Sequence, residues 1–142
     1  MDASGLSTSG THTIWASPLG SEVRGGPGNV NFAGGIGNDS FAFGTGMSRA
    51  MGSGGNDGFT LVKGGIAAGD QVIDFHLNLA DGGEHDTLRL LGFSAAAHLD
   101  LLASVGTAHS YQVVDGDYVS PSIVIQVANG SVPLGGLDYQ FG

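Results

Sequence analysis

The stretch "GGIGNDSFA" (34–42) places three glycines, an Asn-Asp pair and a single Phe within nine residues. The pattern recurs when the chain is written in blocks of nine from Gly25. These blocks are "GGPGNVNFA" (25–33), "GGIGNDSFA" (34–42), "FGTGMSRAM" (43–51) and "GSGGNDGFT" (52–60). The fourth residue of every block is glycine. The eighth residues are Phe32, Phe41, Ala50 and Phe59. A fixed short period of this kind is typical of structures in which neighbouring units stack on one another.

Each block predicts a short strand followed by a glycine-rich turn. The apolar residue at position eight points inward and its neighbours outward, because side chains alternate along a strand. The glycines then reverse the chain, since several turn positions need a positive φ. Two blocks make one coil of 18 residues. Ile14 and Val23 continue the nine-residue spacing of apolar residues towards the N-terminus. We therefore expect an all-β fold with stacked strands around a narrow core.

Two carboxylates occupy the sixth position of their blocks. Asp39 and Asp57 are 18 residues apart in the chain, so one coil separates them and they share an edge at a spacing of about 4.8 Å. Two carboxylates at so short a distance repel each other unless a cation lies between them. A hard dication with oxygen ligands fits such a gap. Backbone carbonyls near Gly35, Gly37 and Gly55 would complete the shell. The pattern predicts a calcium site; alternatively, both aspartates cap their own turns.

The opposite edge has a different set of residues at position six. They are His12, Val30 and Ser48, none of which is a carboxylate. We therefore expect that edge to bind no calcium, or to bind it weakly.

Composition narrows the possible partners. The 142 residues include 13 acidic and four basic side chains, for a net charge of −9, which disfavours nucleic acid and anionic membranes and suits cations. Cysteine is absent, so disulfides and thiolate metal sites are excluded. No apolar run approaches the ~18 residues of a membrane span. The start "MDASGLSTSG" lacks the basic and apolar regions of a signal peptide. We therefore expect that the protein is cytosolic, that it is exported by another route, or that the chain is a module of a longer protein.

The repeats resemble the calcium-binding nonapeptide G-G-x-G-x-D-x-U-x of the RTX (hemolysin-type) family of secreted bacterial proteins. Block 34–42 matches every defined position, and "GGIAAGDQVIDFHLNLADGGEHDTLRLLGF" (64–93) is similar to the segment that commonly follows such repeats. The resemblance implies a parallel β-roll, the RTX nonapeptide solenoid, over residues 1–62. It further implies a C-terminal β-rich cap over residues 63–142 that closes the roll within one structural domain.

The same resemblance extends the metal site beyond the repeats. It implies that Asp74 and Asp86 complete the last calcium site, although both also suit solvated turn positions. Few of the blocks carry the aspartate, so we expect one or a few ions rather than a long calcium-loaded array.

The resemblance implies a non-catalytic module that folds on calcium and supports the secretion and stability of an extracellular bacterial protein. In the family such modules lie C-terminal to lipases, proteases, epimerases and glycan-active enzymes and leave the cell by type I secretion. For this chain we expect attachment to a glycan-active enzyme or an adhesin. The sequence lacks G-x-S-x-G, H-E-x-x-H and a phosphate loop. Asp115 and Asp117 flank a glycine, but neighbours at i and i+2 on a turn rarely face one substrate. We therefore predict that the chain is not an enzyme.

An alternative function is calcium-dependent binding of an extracellular polysaccharide. The aromatic side chains of Trp15, Tyr111, Tyr118 and Tyr139 could act as stacking platforms for sugar rings. Against this, Trp15 also suits packing beside the first coil, and the tyrosines suit packing within the C-terminal region.

Overall fold

The computed structural model describes residues 1–2, 5, 10–79 and 82–142, and these residues form thirteen strands and no helix. The strands are β1 (Thr11–Trp15), β2 (Glu22–Arg24), β3 (Asn29–Ala33), β4 (Ser40–Ala42), β5 (Ser48–Met51), β6 (Gly58–Val62), β7 (Gln71–Phe75), β8 (Thr87–Leu91), β9 (His98–Val105), β10 (Ala108–Asp115), β11 (Tyr118–Val119), β12 (Ile123–Val127) and β13 (Tyr139–Phe141). The described part of the chain therefore contains no helix able to span a membrane.

The strands form two sheets that face each other across the core. Strands β1, β3, β5 and β7 pair in parallel and continue through β12, β10 and β11 into an eight-stranded sheet, with β9 also paired to β10. Strands β2, β4, β6 and β8 pair in parallel and end at β13 in a five-stranded sheet. The chain thus crosses from one sheet to the other after each of its first seven strands.

The predicted RTX solenoid, a parallel β-roll closed by a C-terminal β-rich cap, is wrong for this chain. The structure is all-β with two mostly parallel sheets, and its repeat is not maintained. The first six strands pair at an offset of 18, as in the pair Thr11↔Asn29. The offset then becomes 22 between β5 and β7 and 29 between β6 and β8, because longer connections replace the nonapeptide turns.

The C-terminal strands extend the sheets instead of closing them as a separate layer. Strands β10 and β12 are antiparallel to each other, and β12 lies parallel to β7. The last strand, β13, lies parallel to β8. Both sheets therefore take strands from each side of residue 62.

The core lies between the sheets and is built around an aromatic column. Phe32, Phe41, Phe59 and Phe75 are buried, with ring centroids 5.4 Å apart for the first pair, 5.7 Å for the second and 6.0 Å for the third. The first two pairs are stacked and the third is tilted, and ring contacts at these separations add to the gain from burying apolar area. The inward direction of the position-eight phenylalanines was predicted from alternation along the strands and is confirmed by their burial.

Candidate metal centre

One edge of the molecule collects the turns that lead into the five-stranded sheet. Residues 34–39 precede β4, residues 52–57 precede β6, and residues 76–79 and 82–86 precede β8. Because Ser40, Gly58 and Thr87 are register partners in neighbouring parallel strands, the residues just before them lie one above another. We call this side the acidic edge. The turns 25–28, 43–47 and 63–70, which lead into β3, β5 and β7, form the opposite edge.

Three aspartates form a hydrogen-bonded ladder along the acidic edge. The backbone N–H of Asp39 donates to Oδ1 of Asp57 at 2.7 Å. The N–H of Asp57 donates in the same way to Oδ1 of Asp86 at 2.8 Å. Oδ2 of Asp86 accepts the backbone N–H of His76 at 2.8 Å. All three carboxylates are buried, so the aspartate ladder (Asp39, Asp57, Asp86) joins successive turns through side chain to backbone contacts.

Two oxygens of this ladder have no hydrogen-bond partner among the described residues. They are Oδ1 of Asp39 and Oδ2 of Asp57, and these residues are only 3% and 2% exposed. The other oxygen of Asp39 accepts the N–H of Gly35 at 2.9 Å. A buried polar atom without a partner costs about 1–3 kcal/mol, so a cation or a proton at these oxygens would stabilise the folded state.

The aspartate ladder concentrates negative charge around Asp57. Burial raises the pKa of Asp57 to about 7; the hydrogen bond from the Asp39 N–H opposes this, and the charges of Asp86, Asp39 and Asp74 raise the pKa further. Burial also raises the pKa of Asp86, against the hydrogen bonds from His76 and Asp57. Burial is therefore the main cause of the raised pKa of Asp57, and the neighbouring carboxylates add to it.

Asp74 reaches the same edge from the end of β7. Its two carboxylate oxygens accept the N–H groups of Gly52 at 3.0 Å and Ser53 at 2.9 Å. Its own φ is +63°, a conformation that is uncommon for a residue other than glycine. Burial raises the pKa of Asp74 as well. The structure therefore places all four predicted carboxylate ligands at the acidic edge, with Asp74 capping the turn 52–57.

The glycines of these turns allow backbone to pack on backbone. A Cβ on Gly34 would overlap the carbonyl oxygen of Gly52, and a Cβ on Gly52 would overlap Oδ2 of Asp57. Gly55 has a φ of +108°, and a Cβ there would lie 2.8 Å from the carbonyl of Gly37. The carbonyl of Gly35 already accepts the N–H of Gly54 at 2.9 Å. The predicted carbonyl ligands therefore lie at the right edge, and that of Gly35 also serves turn packing.

Side chains alone do not form a complete metal shell. Across the described ranges, no group of three or more His, Asp or Glu side chains is placed to hold a metal ion. The unpartnered oxygens of Asp39 and Asp57 are nevertheless buried between turns rich in backbone carbonyls. This donor set, of carboxylate and carbonyl oxygens without sulfur, fits a hard cation such as Ca²⁺.

A second ladder on the acidic edge was missed in the sequence. Oδ1 of Asn38 accepts the N–H of Asn56 at 2.9 Å, and Oδ1 of Asn56 accepts the N–H of His85 at 2.9 Å. Each of these asparagine side chains accepts a backbone N–H from the following turn. Asp57 and Asp86 instead accept a backbone N–H from the preceding turn. The repeated "GND" at 37–39 and 55–57 was the available signal. A cavity of about 350 Å³ lies beside both ladders, and Thr87 and Arg89 also line it.

The opposite edge holds a carboxylate whose oxygens are both satisfied. Oδ1 of Asp70 accepts the N–H of Ser48 at 2.7 Å, and Oδ2 accepts that of Ala67 at 2.8 Å. Burial raises the pKa of Asp70 to about 6, against these two hydrogen bonds. Asp70 thus caps the turns of this edge, and neither of its oxygens lacks a hydrogen-bond partner.

The four aromatic residues proposed for glycan stacking differ in exposure. Trp15 is 72% exposed at the end of β1. Tyr111 is buried, and its hydroxyl accepts the N–H of Leu134 at 2.8 Å. Tyr118 and Tyr139 are partly buried and pack against the core. Trp15 is therefore the member of this set that presents its ring to solvent.

Asp115, which was considered with Asp117 as a catalytic pair, has a structural contact. Its Oδ2 lies 2.8 Å from Nζ of Lys63 and accepts the N–H of Ser94 at 3.0 Å. The hydrogen bond from Lys63 and those from Ser94 hold the pKa of Asp115 well below its usual range. This carboxylate joins the end of β10 to the loops that follow β6 and β8.

Comparison with known proteins gives no further guide: no family model, no curated protein and no solved structure matches the chain.

Proposed function

We propose that the chain is a non-catalytic calcium-binding module whose folded state is stabilised by Ca²⁺ at the acidic edge. The observation that carries this proposal is the pair of buried, unpartnered oxygens, Oδ1 of Asp39 and Oδ2 of Asp57, on adjacent turns. A divalent ion at these oxygens would remove both the unsatisfied polar atoms and the repulsion between the carboxylates.

The acidic edge favours calcium over other common metals. Ca²⁺ takes six to eight oxygen ligands in flexible geometry, and backbone carbonyls serve it well. Asp39 and Asp57 would hold the ion, with carbonyls of Gly35, Gly37 and Gly55 at the same turns and Asp74 and Asp86 as flanking charges. A zinc site would need nitrogen or sulfur ligands in tetrahedral arrangement, and the chain has no cysteine.

The biological setting follows from the resemblance of the repeats to the RTX family. We propose that the module is secreted, that low cytosolic calcium leaves it loosely folded during type I export, and that extracellular calcium folds it. In this setting it supports the stability of an extracellular bacterial protein, such as a glycan-active enzyme or an adhesin. The net charge of −9 agrees with a fold that needs a counterion.

Calorimetry and thermal unfolding test the calcium proposal directly. Calcium added to chelator-treated protein should release or absorb heat with a saturable isotherm at pH 7.5. At 100 times Kd it should raise Tm by roughly 10 °C, and Mg²⁺ should give a smaller shift because it demands rigid octahedral geometry. Identical Tm values in calcium and in chelator, together with a flat isotherm, would overturn the proposal.

Carbohydrate binding is a second candidate function, favoured by the exposure of Trp15. A tryptophan that is 72% exposed leaves a large apolar ring in water, and such rings commonly stack on ligands. Screening immobilised glycans in calcium, and again in chelator, tests this function. Absence of binding to every glycan in both conditions would remove it while leaving the calcium proposal standing.

A further inference from the structure

The outer face of the eight-stranded sheet carries two rows of side chains across β1, β3, β5 and β7. One row follows the register Trp15↔Ala33↔Met51↔Ile73. The inward neighbours of these residues, such as Phe32 and Ala50, are buried, so alternation directs the rows to solvent. The second row holds Asn31, Arg49 and Gln71. We call these two rows together the tryptophan face.

The tryptophan face combines an aromatic platform with a shallow depression. Trp15 is 72% exposed, and Met51 in the same row is 40% exposed. Between them Ala33 is small and buried. A depression of about 120 Å³ lies beside Ala33, lined by Asn31 and Arg49 of one row and by Met51 and Ile73 of the other. Trp15 adjoins Ala33 in its row and flanks this depression without lining it. A ligand with one apolar side and one polar side would match the apolar and polar rows of this face.

The charge of the tryptophan face is opposite to that of the rest of the protein. Arg49 forms no ion pair within the part of the chain that the structure describes. No Asp or Glu stands among the outward residues of these four strands, all of which lie within the described ranges. Asp74 at the end of β7 is directed to Gly52 and Ser53 instead. Arg49 therefore leaves an exposed guanidinium beside the depression that is available to an anionic group.

The five-stranded sheet provides a contrast. Arg24 on its outer face is paired with Glu22 at 2.7 Å. Arg89 on the same face is exposed and forms no ion pair among the described residues, so the absence of an aromatic platform is what sets this face apart. That face has no tryptophan, because Trp15 is the single one in the chain. The combination of a stacking ring and an uncompensated cation therefore belongs to the tryptophan face.

We propose that the tryptophan face binds an acidic saccharide, a chain containing hexuronate residues. Trp15 stacks on the apolar face of a sugar ring, and Arg49 takes a carboxylate in a bidentate contact. Asn31 and Gln71 exchange hydrogen bonds with hydroxyls. Trp15 and Arg49 are two strands apart, roughly 10 Å, so neighbouring sugar residues of one chain reach both. This assignment rests on the second candidate function and names its site and ligand class.

The single tryptophan is a direct probe for this binding. A tetramer of galacturonate, titrated at fixed calcium concentration, should change the emission of Trp15 and give a matching calorimetric isotherm. The neutral galactose tetramer should bind at least tenfold more weakly, because it lacks the carboxylate for Arg49. Equal binding of the two tetramers would overturn the acidic class of ligand. Oligomers of mannuronate and guluronate extend the test to other hexuronates.

Variants separate the site from the function. Trp15→Ala and Arg49→Gln should each weaken uronate binding at least tenfold with unchanged Tm, since both side chains are exposed. Arg24→Gln on the other sheet is the matched control and should bind like the wild type. If uronates bind equally to all variants, this site is wrong while carbohydrate binding stands. If no uronate tetramer binds, the proposal fails and the calcium proposal is untouched. Binding of single-stranded DNA or an acidic peptide through Arg49 in place of uronates would also overturn it.

Discussion

The acidic edge and the opposite edge share the same close packing of glycine turns but differ in their carboxylates. A Cβ on Gly34 would overlap Gly52 at the acidic edge, and a Cβ on Gly44 would overlap Gly26 at the opposite edge. Buried aspartate oxygens without a hydrogen-bond partner occur, among the described residues, only at the acidic edge. The glycine pattern is therefore a requirement of close turn stacking, and only the carboxylates distinguish a candidate ion site.

The largest expected effect comes from adding a methyl group to either set of turns. Gly34→Ala and Gly44→Ala should each destabilise the protein by about 4 kcal/mol, because backbone atoms of the neighbouring turn must move. Urea unfolding measures this. Gly54→Ala is the matched control, since the nearest atom to its Cβ lies 3.6 Å away, and it should change stability by less than about 1 kcal/mol. A large loss of stability in only one of the two variants would show that the two edges are not packed alike.

The pH dependence of the calcium-free protein comes next in size. The pKa of Asp57 is raised to about 7 and that of Asp70 to about 6, both from 3.8. The folded state therefore holds protons that the unfolded chain releases, so stability is greatest at acid pH and falls as pH rises from about 4 to 7. The fall should be on the order of 3 kcal/mol for Asp57, measured by urea unfolding at pH 5 and 8.

Calcium should change the pH dependence of stability that comes from Asp57 but not the part that comes from Asp70. An ion at Asp57 replaces its proton, so calcium should weaken the loss of stability that comes from the acidic edge. The loss that comes from Asp70 should persist, because both of its oxygens are already bonded. Asp57→Asn and Asp70→Asn identify the two contributions. Stability that rises from pH 5 to 8 in chelator would contradict the assignment.

A substitution at each edge tests calcium binding with a smaller expected effect. Asp39→Asn should weaken calcium affinity at least tenfold, about 1.4 kcal/mol, because it removes charge from an unpartnered buried oxygen. Ser48→Ala, at the corresponding block position of the opposite edge, should leave the affinity unchanged. Isothermal calorimetry at pH 7.5 gives both values. Equal losses in the two variants would mean that the ion is not at the acidic edge.

The smallest effect is expected from the asparagines, and it should be alike at both edges. Asn38→Ala removes the acceptor for the Asn56 N–H, and Asn29→Ala removes the acceptor for the Met47 N–H. Both contacts are exposed, so water replaces the lost acceptor and each variant should cost about 1 kcal/mol. Thermal unfolding with and without calcium measures the cost. A strong calcium dependence of the Asn38 variant would make asparagine part of the ion site.

Part of the candidate site was predictable from the sequence because it depends on a local period. The nine-residue period places Asp39 and Asp57 one coil of 18 residues apart. The strand pairing Ser40↔Gly58 has this same offset of 18 residues. The contacts of Asp74 were not predictable from spacing, since its φ of +63° turns the carboxylate back onto Gly52 and Ser53. Asp70 was likewise overlooked as the partner of Ser48, 22 residues away.

The sequence by itself determined the first six strands, the inward phenylalanines at Phe32, Phe41 and Phe59 and the alternation of edges. It did so because a fixed period makes each contact between neighbouring strands a repetition of the previous one. The tertiary structure alone decided that the offsets lengthen from the pairing of β5 with β7 onward and that β9 to β13 extend both sheets. Those pairings join strands distant in the chain, such as β7 with β12. Strand pairing at long range depends on which edge remains open and which side chains fill the core, and no local pattern encodes that choice.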